Sequence, residues 1–179
     1  MTSLTPADAA LIAEACSKSS VLWVRTVESA RRYLAWHVWH ADAVHVVYGV
    51  EEQMLPLMSG QVEVVVPSKD TGARLVTFVA QAELLPARSP EWEAAADALS
   101  AARLNTRDPA RQRDRWASGT LITRLTPVYL ASSGAGNDLM GSGAQHPAES
   151  GATSLGEHQP WHLRGRAHTR RARRGTPGR

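Results

Sequence analysis

The chain of 179 residues has little of what usually marks a site. It has one cysteine, Cys16, so no disulfide can form within it and a reducing compartment is the expected home. No apolar run approaches the ~20 residues that span a bilayer. Residues 1–10 show no basic segment leading into an apolar one, so a secretory signal is not expected and a cytoplasmic location is. No cysteine cluster and no helical His-Glu-x-x-His points to a metal. His37 and His40 fall on opposite faces of strand-like sequence, so with His45 they do not converge on an ion, and no metal is expected. No Ser-His-Asp order or nucleophile elbow is legible. Gly134-Ala135-Gly136 lacks the third glycine and the apolar helix that a dinucleotide loop requires. There is no internal repeat.

Charge is unevenly spread. The formal net charge is +3, yet residues 1–131 carry 13 Lys and Arg against 14 Asp and Glu, and residues 132–179 carry 7 against 3. The basicity therefore belongs to the C-terminal segment. That segment is rich in Gly, Ser, Ala, Pro, His and Arg and cannot bury enough apolar surface to offset its ordering entropy. The reading is a domain over residues 1–130 and a disordered basic tail over residues 131–179. The tail arginines could meet phosphates without specificity, but nucleic acid is not an expected partner.

Within the domain the periodicities are plain. Thr5-Pro6-Ala7-Asp8 combines a cap, a proline at the first helical position and an early acid, and Ala9, Ile12, Ala13 and Cys16 follow at helical spacing. Strands are expected over residues 21–26, 33–40, 44–48, 61–66, 75–84 and 120–125, the last stopped by Pro127. A hairpin turn is expected at Ala41-Asp42-Ala43, and a short helical turn near residues 54–58. Val62, Val64 and Val66 share one face. So do Val76, Phe78, Ala80, Ala82 and Leu84. Ser89-Pro90-Glu91 opens a second helix with Trp92, Ala95, Ala96 and Leu99 on its apolar stripe, and Asp108-Pro109 opens a third that carries Trp116. Sequential hairpins imply an antiparallel sheet. The expected fold is mostly β (α+β): a six-stranded antiparallel split barrel with peripheral helices.

Candidate chemistry is sparse. Arg25, Arg31, Arg32, Ser68, Lys69 and Arg74 flank strand ends, where guanidinium, ammonium and hydroxyl donors could hold a phosphate. Trp36 and Trp39 point to opposite faces, one toward a core and the other toward an interface or the edge of an aromatic cofactor. His37 or His45 could transfer protons near neutrality. Glu51-Glu52 reads as a solvated acidic pair, and Cys16 as a core residue.

Several segments carry a resemblance: Ala35-Trp36-His37-Val38-Trp39-His40, Glu52-Gln53-Met54-Leu55-Pro56, Ser68-Lys69-Asp70, Arg74-Leu75-Val76-Thr77, Arg103-Leu104-Asn105, Arg115-Trp116-Ala117 and Arg124-Leu125-Thr126-Pro127. Over about residues 15–128 the chain resembles the pyridoxamine 5′-phosphate oxidase-like and flavin-reductase-like split-barrel superfamily. The resemblance implies a homodimer with cofactor sites at the subunit interface, and a cofactor drawn from FMN, FAD, deazaflavin F420 or haem. FMN or F420 is the expectation here, with Arg25, Arg32, Trp36, His37, Ser68, Lys69 and Arg74 as candidate cofactor residues and a possible oxidoreductase activity. The chain departs from the family where a Ser-x-Lys-like phosphate contact would follow the third strand: Gly49-Val50-Glu51-Glu52-Gln53 stands there. The alternatives are a non-catalytic dimeric barrel that has lost its cofactor, or nucleic-acid association through the Arg-rich tail.

Overall fold

The computed structural model describes residues 4–70, 72–103 and 108–133. The chain divides into two units, Met1–Asn137 and Asp138–Arg179; every described residue lies in the first. Of the expected tail only residues 131–133 are described, as the end of a strand rather than as disordered chain, and the rest lies outside the described residues. The elements are α1 (Pro6–Lys18), β1 (Val21–Thr26), β2 (Tyr33–Trp36), β3 (Val38–His40), β4 (Ala43–Gly49), β5 (Gly60–Pro67), β6 (Arg74–Leu84), α2 (Pro90–Ala102), a 3₁₀ turn (Pro109–Arg111), α3 (Gln112–Gly119) and β7 (Thr120–Ser133).

Local chemistry sets the helix starts. The Thr5 hydroxyl accepts from the Asp8 N–H at 3.2 Å and the Asp8 carboxylate accepts from the Thr5 N–H at 3.2 Å, a reciprocal capping box. The Ser89 hydroxyl accepts from the Trp92 N–H at 3.2 Å, so α2 begins at Pro90 as its sequence predicts.

All strands pair antiparallel in one sheet of order β2-β1-β5-β6-β7-β4-β3. The two edge strands, β2 and β3, are consecutive in the chain and separated only by His37. The single strand expected over residues 33–40 is thus two, and the sheet has seven strands rather than six. The cause lies at the joint. The His37 N–H donates to the Ser20 carbonyl (3.3 Å), and its ring turns inward to the Cys16 carbonyl (3.1 Å). Meanwhile the Gln53 side chain takes the Trp36 N–H (2.9 Å) and donates to the Trp36 carbonyl (3.0 Å). The chain therefore leaves β1 and joins β4, and the sheet curls until its two edges meet through one covalent segment, which leaves little open edge.

Three other expectations are corrected. Residues 54–58 form no helical turn. Pro56 disfavours helical geometry at Leu55, Leu55 packs on the core, and the Met58 N–H reaches the Tyr48 hydroxyl at 3.4 Å. Pro127 does not stop β7, which continues to Ser133; the register shifts where Ala80 meets Pro127, and this bulge absorbs the missing N–H. Leu84 is exposed rather than buried, because β6 ends there and Leu85 turns onto the outer face instead, its N–H bonded to the Ile122 carbonyl at 2.9 Å. The Ala41-Asp42 turn is as expected, with φ of 47° and 55° matching the twist of the β3–β4 hairpin.

Two apolar clusters hold the fold. One fills the curl of the sheet, with Leu22, Val24, Val46, Val64, Phe78, Ala80 and Leu125 meeting Ile12, Ala15 and Cys16 of α1. The other lies outside the sheet, where Trp92, Ala95, Ala96 and Leu99 of α2 and Trp116 of α3 cover Val47 and Ile122.

Candidate functional site

The helices leave one part of the sheet bare. α2 packs on β3, β4 and β7, α3 on β7, and α1 on β3, β6 and β7. The outer face of β2, β1 and β5 retains large exposed apolar side chains, with Trp23 39% and Leu34 50% exposed. Side chains alternate along a strand, so the register orders this face into rows. Leu34, Trp23, Val65 and Thr77 form one row across β2, β1, β5 and β6. Arg25, Glu63 and Val79 form the next, one alternate residue or about 7 Å further along the strands.

Arg32, just before β2, joins that second row. Its Nε and Nη2 donate to one Glu63 oxygen at 3.1 and 2.9 Å, and Arg25 Nη2 donates to the other at 2.8 Å. Burial raises the Glu63 pKa, but the hydrogen bonds and charges of the two arginines outweigh it and hold the carboxyl below its ordinary value. A guanidinium carries five N–H donors; Glu63 takes one from Arg25 and two from Arg32, leaving the larger share outside the ion pair. Thr77 closes the apolar row with a buried hydroxyl that has no hydrogen-bond partner. The face thus combines a paired cation, a half-exposed indole and an orphaned hydroxyl.

The other anion-binding candidates are not brought to the same place. Ser68 and Lys69 belong to the β5–β6 turn, and Arg74 opens β6 opposite Pro67. Glu63 and Pro67 are four residues apart on β5, roughly 13 Å of strand. Arg31 lies with its guanidinium 5.3 Å from the centre of the Tyr33 ring.

Trp36 and His37 sit at the seam where β2 passes into β3. Trp36 packs against the outer cluster with the Arg103 guanidinium 5.7 Å from its ring centre. Its backbone is held by Gln53, which also donates to the Val47 carbonyl at 2.9 Å. Beside it Glu52, its side chain only 7% exposed, accepts from Trp116 Nε1 at 2.7 Å and pairs with Arg103. The segments around Trp36, Glu52-Gln53, Arg103 and Trp116, far apart in sequence, therefore meet in one hydrogen-bonded hub. Glu51 remains exposed with φ of 63°, so the adjacent acids are not a pair. Glu52 is a buried structural acid, and the alternation of polar residues in this loop gives no sign of it.

His37 is buried, and because a carbonyl can only accept, its Nε2 carries the hydrogen and Nδ1 the bare lone pair, without a partner. Burial lowers its pKa to about 4, the bond to Cys16 only partly opposing this. His45 is likewise lowered to about 4, by burial and by the charges of His40 and Arg124. Both imidazoles are neutral at physiological pH. Burial pushes the Cys16 thiol up to about 12, which keeps it from acting as a nucleophile. Among the described residues no group of three or more His, Cys, Asp or Glu could hold a metal, and no helix is long and apolar enough to cross a membrane.

The fold is a curled antiparallel barrel sheet with peripheral helices, the split-barrel class that the sequence implies. No family model matches the chain, and no curated protein matches it. Among solved structures it is similar to HutZ, the heme storage protein from Vibrio cholerae, at 18% identity over 70% of this chain and 91% of that one, with a TM-score of 0.49. It is similar to a provisionally assigned pyridoxamine 5′-phosphate oxidase from Corynebacterium glutamicum at 15% identity, covering 70% and 91%, with a TM-score of 0.42. A third is a provisionally assigned general stress protein 26 from Jannaschia sp. CCS1, at 9% identity, covering 64% and 70%, with a TM-score of 0.41.

Proposed function

We propose that the chain is a homodimeric binding protein for a phosphate-bearing flavin-type cofactor, FMN or deazaflavin F420. The observation that carries this reading is the Arg25–Arg32 pair beside Trp23 on the bare outer face. A flavin-type ligand is a flat aromatic ring on a chain that ends in an anion. Trp23 and Leu34 would take the ring, and the outward N–H donors of Arg25 and Arg32 the phosphate. A second copy laid over the same face would bury Trp23 and Leu34 and shield the ring from water. When bound, the cofactor itself supplies hydride or electron transfer, and the chain supplies binding and orientation. Glu63, which already occupies part of the arginine pair, favours a second reading: a barrel that has dispensed with its cofactor and acts through its dimer face.

Titration of the purified protein with FMN and with F420, followed by flavin fluorescence and by sedimentation, separates the two. Saturable binding to a dimer is expected. Arg25→Ala should weaken it about 10- to 100-fold, the worth of a charge-assisted hydrogen bond. Lys69→Ala, in the turn beyond the end of β5, should leave it unchanged. Equal loss from both variants would place the phosphate elsewhere, and no binding by the unaltered protein would favour the second reading.

A further inference from the structure

We propose that Glu63 sets the charge class of the anion this face accepts, so that the Arg25–Arg32 site takes a singly charged oxyanion, a phosphodiester or a carboxylate, in preference to a phosphomonoester dianion. The inference rests on the ligand reading above and deepens it. Two guanidiniums bonded to one carboxylate leave the row a single net positive charge. The three hydrogen bonds, at 2.8, 2.9 and 3.1 Å, tie the carboxylate to both arginines at once, so it cannot be displaced from one without loosening the other. Glu63 is only 22% exposed, and β1 places Arg25 directly opposite it in the register. Glu28 and Arg31, one charge of each sign, lie in the exposed β1–β2 connection. An incoming monoester brings two negative charges to a row that can neutralise one, and its second charge meets the Glu63 carboxylate across a partly desolvated face. A diester brings one charge and meets no such excess. FMN ends in a monoester, whereas the phosphate of F420 is a diester; at the phosphate itself the charge count therefore favours the deazaflavin, whose further carboxylates lie beyond this row.

The test uses the unaltered protein and two probes that share ring and ribityl chain: FMN and its 5′-methyl phosphodiester. Expected is tighter binding of the methyl diester than of FMN, with riboflavin weaker than the diester. Replacement Glu63→Gln should tighten FMN about tenfold and leave riboflavin unchanged, with the thermal unfolding midpoint recorded for both proteins. Equal binding of FMN and the diester, or a preference of the unaltered protein for FMN, would overturn the proposal while leaving the ligand reading intact. So would a Glu63→Gln protein that folds yet binds FMN no better. Failure of all three probes to bind would overturn the ligand reading and this proposal with it.

Discussion

Glu52→Ala is expected to cost about 3 kcal/mol of stability and to lower Tm by ~10 °C. Glu52 lies almost wholly out of water, bonded to Trp116 Nε1 and paired with Arg103. Removing it strips a buried indole N–H of its acceptor and Arg103 of its carboxylate, both on the side of the sheet where α2 and α3 are anchored. Leaving a buried donor unsatisfied costs about 1–3 kcal/mol, and the loss of the Arg103 ion pair adds to it. Glu51→Ala, one residue earlier on an exposed side chain, should stay within ~0.5 kcal/mol of the parent. Thermal unfolding followed by far-UV circular dichroism compares the two. Equal effects at the two positions would remove the hub from the account of what holds the seam.

The second large effect is acid sensitivity. His37 and His45 have folded-state pKa values near 4, below the ordinary 6.5. Between those values the unfolded chain binds protons that the folded chain refuses, so stability falls as pH falls. The stabilisation held by the neutral imidazoles is complete above about pH 6.5, declines through the interval and is gone below about 4. The buried His37 alone accounts for roughly 3 kcal/mol over that range. Its Nδ1 faces no acceptor that could offset the charge. His45 adds to the same slope, with His40 and Arg124 opposing its protonation. Urea unfolding at several pH values from 7 to 4 should show a steep loss of stability, and His37→Gln should make it shallower. A flat profile for the parent protein would mean that these imidazoles are hydrated in solution.

The elements were largely legible because their signals are local. Thr5 and Ser89 cap the helices they predict, and the valines of β5 and the alternate residues of β6 face the core as their spacing requires. Apart from the missing turn at residues 54–58, where Pro56 acts locally, two of the misses were decided by contacts distant in sequence. His37 breaks a run that reads as one strand because Cys16 and Ser20 bond it from the other side of β1. Pro127 sits within β7 because β7 bulges by one residue, Val128, against β6.

The candidate site divides in the same way. Sequence marked Arg25 and Arg32 as strand-end cations, and both lie on the bare face. It gave no notice of Glu63, which reads as the polar half of an alternating strand, nor of Trp23, which reads as one more apolar residue in β1. Only the register places Arg25 opposite Glu63 and Trp23 beside Leu34. Ser68, Lys69 and Arg74 share the chemistry of Arg25 and Arg32, yet they sit where β5 ends and β6 begins, away from Glu63. By itself the sequence determined the elements, the hairpins and the near-neutral charge of the domain, because period, capping and turn chemistry act over a few residues. Tertiary structure alone decided how the sheet closes, which acid is buried and which cations share a row. Those outcomes depend on pairing between strands that the chain keeps dozens of residues apart.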